Sequence, residues 1–356
     1  MADVFDRMLK EGESLFVNEL ALDFSFRPKN IQFRENEQHA LADTFKPLLQ
    51  KRTARNLLIT GKPGIGKTLA VRDVLDQIEE RTDEVRPVYV NCWHRNSSYK
   101  VALELCEQLD YPLTHNKRTD ELLKMCVREA NKKSAVFVFD EIDKVEDYDF
   151  LYMILEEVFR KSVVLITNYD DWLAQLDERI RSRLMPEAIE FKRYNGKEIE
   201  GIMHTRMGAA FVEGIWDAEA FERVVESTVE VGDIRFGLTL MRNTGLAAED
   251  RSSRKIEMRD VEQALTKATD YKEKEIKSLE KEEQTILALA KAHSGTRIGE
   301  LFKHYQEKGG VVNYKAFQRK VRKLGEDRFI STEKVVGGKD GTTTIIRYAD
   351  KKLTEF

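Results

Sequence analysis

The residues that most narrowly constrain chemistry are Gly61, Lys62, Pro63, Gly64, Ile65, Gly66, Lys67 and Thr68, which satisfy GxxxxGK[ST] at every fixed position. An apolar run, NLLIT at 56–60, precedes them, and a helical pattern beginning at Leu69 follows. Glycines let backbone N–H groups turn inward around phosphate oxygens, and the following helix presents its positive end to the same anion. Lys67 is expected to reach the β- and γ-phosphates, the Thr68 hydroxyl to ligate Mg²⁺, and the stretch as far as Leu69 to contact the nucleotide. A second acidic pair lies in AVFVFDEID (135–143). Ending a buried apolar strand on Asp140 and Glu141 is costly unless the acids have a task. Asp140 is expected to hold Mg²⁺, directly or through water, and Glu141 to polarise an attacking water. Taken alone, each half has a plainer alternative: a ligand-free turn, or a strand that ends in polar residues. Together they favour a site for ATP or ADP with Mg²⁺.

These residues need a scaffold, and the pattern supplies one. Short apolar runs at 56–60, 87–91, 135–140 and 162–167 alternate with helical stretches at 67–80, 98–109, 119–132 and 148–160. Strands alternating with helices predict an α/β fold, a parallel sheet covered on both faces. From about 195 to 271 only helix-like segments follow, at 196–211, 217–228, 233–249 and 258–271, which predicts a small helical domain. The charged stretch 272–283 reads as a solvated helical linker. The domains expected are an N-terminal arm (1–26), a nucleotide-binding base (27–194), the helical domain (195–272), and a linker with a C-terminal domain (273–356).

That C-terminal domain has helical runs at 283–292, 297–307 and 314–324, then two β-rich runs around GGKDG. Three short helices and a hairpin are the plan of a winged helix-turn-helix. The third helix carries Lys315, Gln318, Arg319, Arg322 and Lys323, while Phe317, Val321 and Leu324 face a core. This is a recognition-helix layout for a major groove, although a solvated basic face has the same pattern. Lys334, Lys339, Thr342 and Arg347 of the hairpin are expected to add minor-groove or phosphate contacts. From Lys281 onward the chain has 16 Lys+Arg against 10 Asp+Glu, a net of +6, while the remainder has 43 against 53, a net of −10. The total of −4 conceals this asymmetry, which suits a polyanion at the basic end.

Composition excludes other classes. No run approaches the ~18 apolar residues of a membrane span. The opening MADVFDRMLKEGE is polar and unlike a secretory signal. The three cysteines, Cys92, Cys106 and Cys126, form no CxxC pair, so neither a zinc site nor a disulfide framework is expected. A cytoplasmic, nucleoid-associated protein fits these properties.

The order of motifs resembles the AAA+ ATPases. Asn168, which ends VVLITN, resembles the sensor-1 position that orients the lytic water. LDERIRSRL places Arg179, Arg181 and Arg183 one element later, where AAA+ proteins carry an arginine finger that crosses a subunit boundary. Arg183 is favoured and Arg179 comes second. Arg235, in VGDIRFGLTLMR, resembles the sensor-2 arginine of the lid. Over nearly the whole chain, FRPKNIQFRENE (26–37), the phosphate loop, DEID, TNYDDW, DERIRSRL, GDIR and the winged-helix stretch resemble the archaeal replication initiators, counterparts of the eukaryotic origin-recognition complex. Departures from the family pattern are Phe33 where a His is usual, Pro63 in the loop, and GDIRFG. The resemblance adds Arg34 to the nucleotide contacts, and His94, Arg95 and Lys100 as possible DNA contacts. It implies slow ATP hydrolysis, duplex origin DNA and the MCM helicase as partners, and a second copy or a paralogue across the ATP site. The alternatives are a helicase or clamp loader without origin specificity, and a winged-helix regulator with an ATP-locked module.

Overall fold

The computed structural model describes residues 14–28, 31–169, 171–267, 279–326, 329–336 and 342–348. The chain divides into two compact units. One comprises 25–204 with 232–234; the other comprises 1–24, 205–231 and 235–356.

The first unit is built on five parallel strands: β1 (Leu57–Thr60), β2 (Val85–Asn91), β3 (Ser134–Asp140), β4 (Lys161–Ile166) and β5 (Glu187–Glu190). Their order is β2-β3-β4-β1-β5. Helices α1 (Glu35–Leu49), α2 (Lys67–Arg81), α3 (Ser98–Gln108), α4 (Thr119–Ala130), α5 (Asp149–Glu157) and α6 (Glu178–Leu184) cover the sheet. Every residue of β3 is buried. Its side chains alternate between two cores: Ala135, Phe137 and Phe139 join one with α3, α4, α5 and α6, while Val136 and Val138 join the other with α1 and α2. Burial on both faces is why the strand reads as an unbroken apolar run. Helix α1, absent from the alternation inferred above, buries Leu41, Phe45 and Leu48 at helical spacing. Strand β5, also absent from it, has a mostly exposed EAIE sequence on the sheet edge, so no apolar run marks it.

This topology positions the site. β4 lies between β3 and β1, so the turn after β4 emerges between the phosphate loop after β1 and the acids that end β3. That is a crevice at the carboxyl ends of parallel strands, where open α/β sheets bind ligands.

The second unit takes up the chain within α7 (Gly196–Ala210), at Thr205, and continues with α8 (Ala218–Val231), nearly all of α9 (Ile234–Asp250) and α10 (258–267). Residues 14–24 are no separate arm. Leu15, Ala21 and Leu22 are buried. Phe16 bridges to Phe211, Arg206 donates to the Ala21 carbonyl at 2.9 Å, and Glu249 accepts from the Leu15 N–H at 2.7 Å.

The C-terminal part of this unit has α11 (Lys281–Ala292), β6 (Thr296–Arg297), α12 (Ile298–Glu307), α13 (Tyr314–Glu326), β7 (Ile330–Val336) and β8 (Thr342–Tyr348), with the sheet ordered β6-β8-β7. Its core joins Ile286, Leu301, Tyr305, Phe317, Val321, Leu324 and Ile346. The expected linker lies outside the described residues as far as 278, and its far end is not solvated as expected. Glu283 is buried because it caps α11 by accepting the Glu280 N–H at 3.1 Å and pairs with Lys323.

Candidate functional site

The phosphate loop follows β1 and delivers Lys67 as the first residue of α2. Gly64 has φ +76, and a Cβ there would stand 1.9 Å from Asp233 Oδ1. Gly66 has φ +88, and a Cβ there would stand 2.8 Å from the Tyr194 hydroxyl. Both positions therefore require glycine, for backbone conformation and for space.

The Lys67 side chain is buried, and its ammonium donates to the Gly61 carbonyl at 2.8 Å, the Lys62 carbonyl at 3.0 Å and Asn168 Oδ1 at 2.8 Å. The Asn168 amide donates to Glu141 Oε2 at 3.3 Å. Asn168 thus links the loop's cation to the second acid of β3. Thr68 Oγ1 donates to Asp140 Oδ2 at 2.6 Å, and the Glu141 N–H donates to Asp140 Oδ1 at 2.9 Å. Glu141 sits at φ 55 in the left-handed region, a strained setting of a kind common at functional sites. Burial, then the neighbouring Asp140 and Asp143 charges, raises its carboxyl above the ordinary value.

Arg34 is buried beside the loop, but its donors are already engaged. They reach the Ile65 carbonyl at 3.0 Å, the Lys192 carbonyl at 2.7 Å and Glu37 at 3.0 Å, with the guanidinium 3.9 Å from the Tyr194 ring centre. In this arrangement Arg34 braces the loop from outside. Of the remaining loop residues, Ile65 is buried in the core, Leu69 and Pro63 are half-buried, and Lys62 is exposed. A cavity of about 510 Å³ opens nearby, lined by Phe33, Arg34, Ile189, Lys192 and Asn195 among others.

Two residues escaped the sequence reading. Tyr89, on β2, donates its hydroxyl to Asp140 Oδ2 at 2.8 Å, and burial followed by the Asp140 charge raises its pKa. The available signal was its place on the strand that pairs with β3, where Tyr89 lies opposite Val138. The other is Asp233, whose carboxylate abuts Gly64 and which stands two residues before Arg235.

Thr68 and Asp140 offer the hard oxygen donors that Mg²⁺ prefers. Among the described residues no group of three or more His, Cys, Asp or Glu could hold a metal. Such a pair suits an ion that takes its other ligands from phosphate and water.

The arginines of LDERIRSRL lie on α6 or its flank. Arg179 pairs with Asp177 at 3.1 Å, and Arg183 pairs with Glu156 and lies 5.0 Å from the Tyr152 ring centre. Arg181 is exposed. Arg235 occupies the first turn of α9, in the other unit. Arg95 pairs with Glu104 at 2.9 Å, and Lys100 donates to Asn96 at 2.7 Å.

On α13, Lys315, Gln318, Arg319 and Arg322 are exposed while Phe317, Val321 and Leu324 are buried. Asn313 caps the helix by accepting the Ala316 N–H at 2.9 Å. Lys323 departs from the expected face, because its ammonium lies 2.9 Å from the buried Glu283 carboxylate. Lys334 and Thr342 lie on β7 and β8, and Arg347 is exposed on β8. Lys339 lies outside the described residues.

The AAA domain family model matches residues 50–172, and the Cdc6 AAA+ ATPase-type lid domain model matches residues 200–266. The chain is therefore an AAA+ ATPase-class protein with a Cdc6-type lid. The ORC1-type DNA replication protein 3 of Haloarcula marismortui is 29% identical over 343 residues, 91% of this chain and 90% of the relative. The ORC1-type DNA replication protein 1 of Methanothermobacter thermautotrophicus is 28% identical over 370 residues, 97% and 96% of the two chains. The structure of the Aeropyrum pernix Orc1 protein in complex with DNA aligns with a TM-score of 0.71 at 25% identity, covering 97% of this chain and 96% of that one. Over nearly its whole length the chain is similar to archaeal ORC1-type DNA replication proteins, and its fold has an AAA+ base, a helical lid and a C-terminal winged helix.

Proposed function

We propose that this protein is an ATP-dependent replication initiator. It binds origin duplex DNA, helps load the replicative MCM helicase, and uses slow ATP hydrolysis as a reset. The observation that carries this reading is the linked set Lys67–Asn168–Glu141 beside Thr68–Asp140, in one chain with an exposed basic helix of a winged-helix fold. The DNA-bound Aeropyrum pernix relative supports the DNA half.

At the nucleotide site, backbone N–H groups of the loop and the start of α2 hold the phosphates, and Lys67 transfers its hydrogen bonds to them. The 510 Å³ cavity beside Arg34 is large enough for a purine ring. Thr68 and Asp140 would hold Mg²⁺, directly or through water, with the Tyr89 hydroxyl orienting the Asp140 carboxylate. When bound, Mg²⁺ neutralises charge on the phosphate oxygens. Glu141, made more basic by burial, accepts a hydrogen bond from the attacking water, and Asn168 fixes its direction. An arginine of α6 completes the site of a second copy or a paralogue, with Arg183 favoured. A regulator that only bound nucleotide would have no need of Glu141. On DNA, α13 enters the major groove with Lys315, Gln318, Arg319 and Arg322, and Arg347 and the wing meet phosphate.

The test is selective capture. Protein with ATP is mixed with sheared genomic DNA of its source organism at roughly 0.2 M salt, which suppresses the phosphate-only term. Enrichment of a few intergenic regions with repeated elements is expected. Uniform retention would replace this reading with that of a loader without origin specificity.

A further inference from the structure

Helices α11 and α13 are joined by two ion pairs of matching spacing. Lys320 lies 2.5 Å from Glu280 and 4.0 Å from Glu283, and Lys323 lies 2.9 Å from Glu283. Each pair of residues is three apart, so two carboxylates meet two ammoniums one helical turn apart. The partners differ in kind. The Glu280 side chain is 63% exposed, whereas that of Glu283 is 2% exposed. A carboxylate so buried requires a counter-charge, and removing the charge alone would leave an uncompensated ion in the interior. Lys323 is therefore committed to Glu283 although 53% of its own side chain reaches solvent. A DNA phosphate would have to compete with Glu283 for the charge of Lys323.

We propose that Glu280 and Glu283 are specificity-determining residues that hold Lys320 and Lys323 off the phosphate backbone. Binding through α13 then rests on Lys315, Gln318, Arg319 and Arg322. This inference rests on the reading of α13 as the DNA helix. Phosphate contacts add affinity that is blind to sequence, whereas base contacts carry the sequence information. Withholding two cations of the helix lowers the blind term and leaves the base-reading side chains in place. The two glutamates do for these lysines what phosphates would do, from within the chain.

Glu283→Gln separates charge from structure, because glutamine still accepts the Glu280 N–H at the helix start. Glu280→Gln changes an exposed residue at the α11 N-cap and keeps a side-chain oxygen that can accept the backbone N–H there. Binding of the full chain to a random-sequence duplex is measured from roughly 0.1 to 0.4 M salt, where each added phosphate contact steepens the slope of log K against log salt by about 0.9. Each variant is expected to steepen that slope by about one contact and to tighten random-sequence binding on the order of fivefold at 0.1 M salt. The double variant is expected to steepen it by about two. In genomic capture, the enriched share of retained fragments should fall. A purely structural role would weaken binding and leave the slope unchanged, so variant slopes equal to that of the natural chain would overturn the proposal. A natural chain that retains no duplex at any salt would instead overturn the DNA reading beneath it.

Discussion

At the nucleotide site, Lys67 and Asp140 are buried and each charge meets several polar groups, three around the ammonium and three on the carboxylate. Along α13, Lys315, Arg319 and Arg322 stand exposed on a helix whose other side is apolar. The first arrangement is a preorganised network in a low dielectric, where one lost partner leaves a charge or dipole unsatisfied. The second is a set of side chains in water, each working nearly independently. Substitutions should therefore be catastrophic and non-additive in one region, graded and additive in the other.

The largest expected effect is on turnover. Glu141→Gln should lower ATP hydrolysis by on the order of 10²–10⁴-fold while ATP binding persists. Measured by phosphate release and by nucleotide titration, unchanged hydrolysis would remove Glu141 from its role. Lys67→Ala should weaken ATP binding by on the order of 100-fold, from loss of charge-assisted bonds. Retained tight binding in calorimetry would break the network account. On α13, Arg319→Ala and Arg322→Ala should each cost about 1–3 kcal/mol if they read bases, or reduce the salt slope by about one if they meet phosphate. Their double variant should be additive within about 0.5 kcal/mol, and strong coupling would erase the contrast between the regions. The smallest effect is expected for Tyr89→Phe, which deletes one donor to Asp140. The Mg²⁺ concentration for half-maximal ATP binding should rise by about tenfold, with little change in nucleotide binding in chelator. Equal weakening with and without Mg²⁺ would assign Tyr89 to packing alone.

The same contrast governs what the sequence made readable. Lys67, Thr68, Asp140, Glu141 and Asn168 stand at fixed offsets from apolar strands, and the strand order brings all five together. Tyr89 and Asp233 join them only through pairing across the sheet and a contact over long separation, neither of which leaves a local pattern. On α13 helical periodicity correctly separated the buried Phe317, Val321 and Leu324 from the cations. It could not show that Lys323 has a carboxylate partner 40 positions earlier in the chain. Helix α1 carries an apolar stripe that periodicity alone could reveal, whereas β5 is an edge strand with little apolar content.

The opening segment has a consequence for dissecting the chain. Leu15, Ala21 and Leu22 fill an apolar surface formed by later helices, and Phe16 and Phe211 press on Gly245, where a Cβ would meet Phe16 at 2.5 Å. A polypeptide started at Phe26 would keep every nucleotide-site residue named above yet uncover that surface, and contiguous uncovered apolar surface promotes aggregation. Loss of solubility after such trimming would report a missing piece of the helical unit's interior rather than a defect in the ATPase, and supplying residues 1–25 as a separate peptide should restore it.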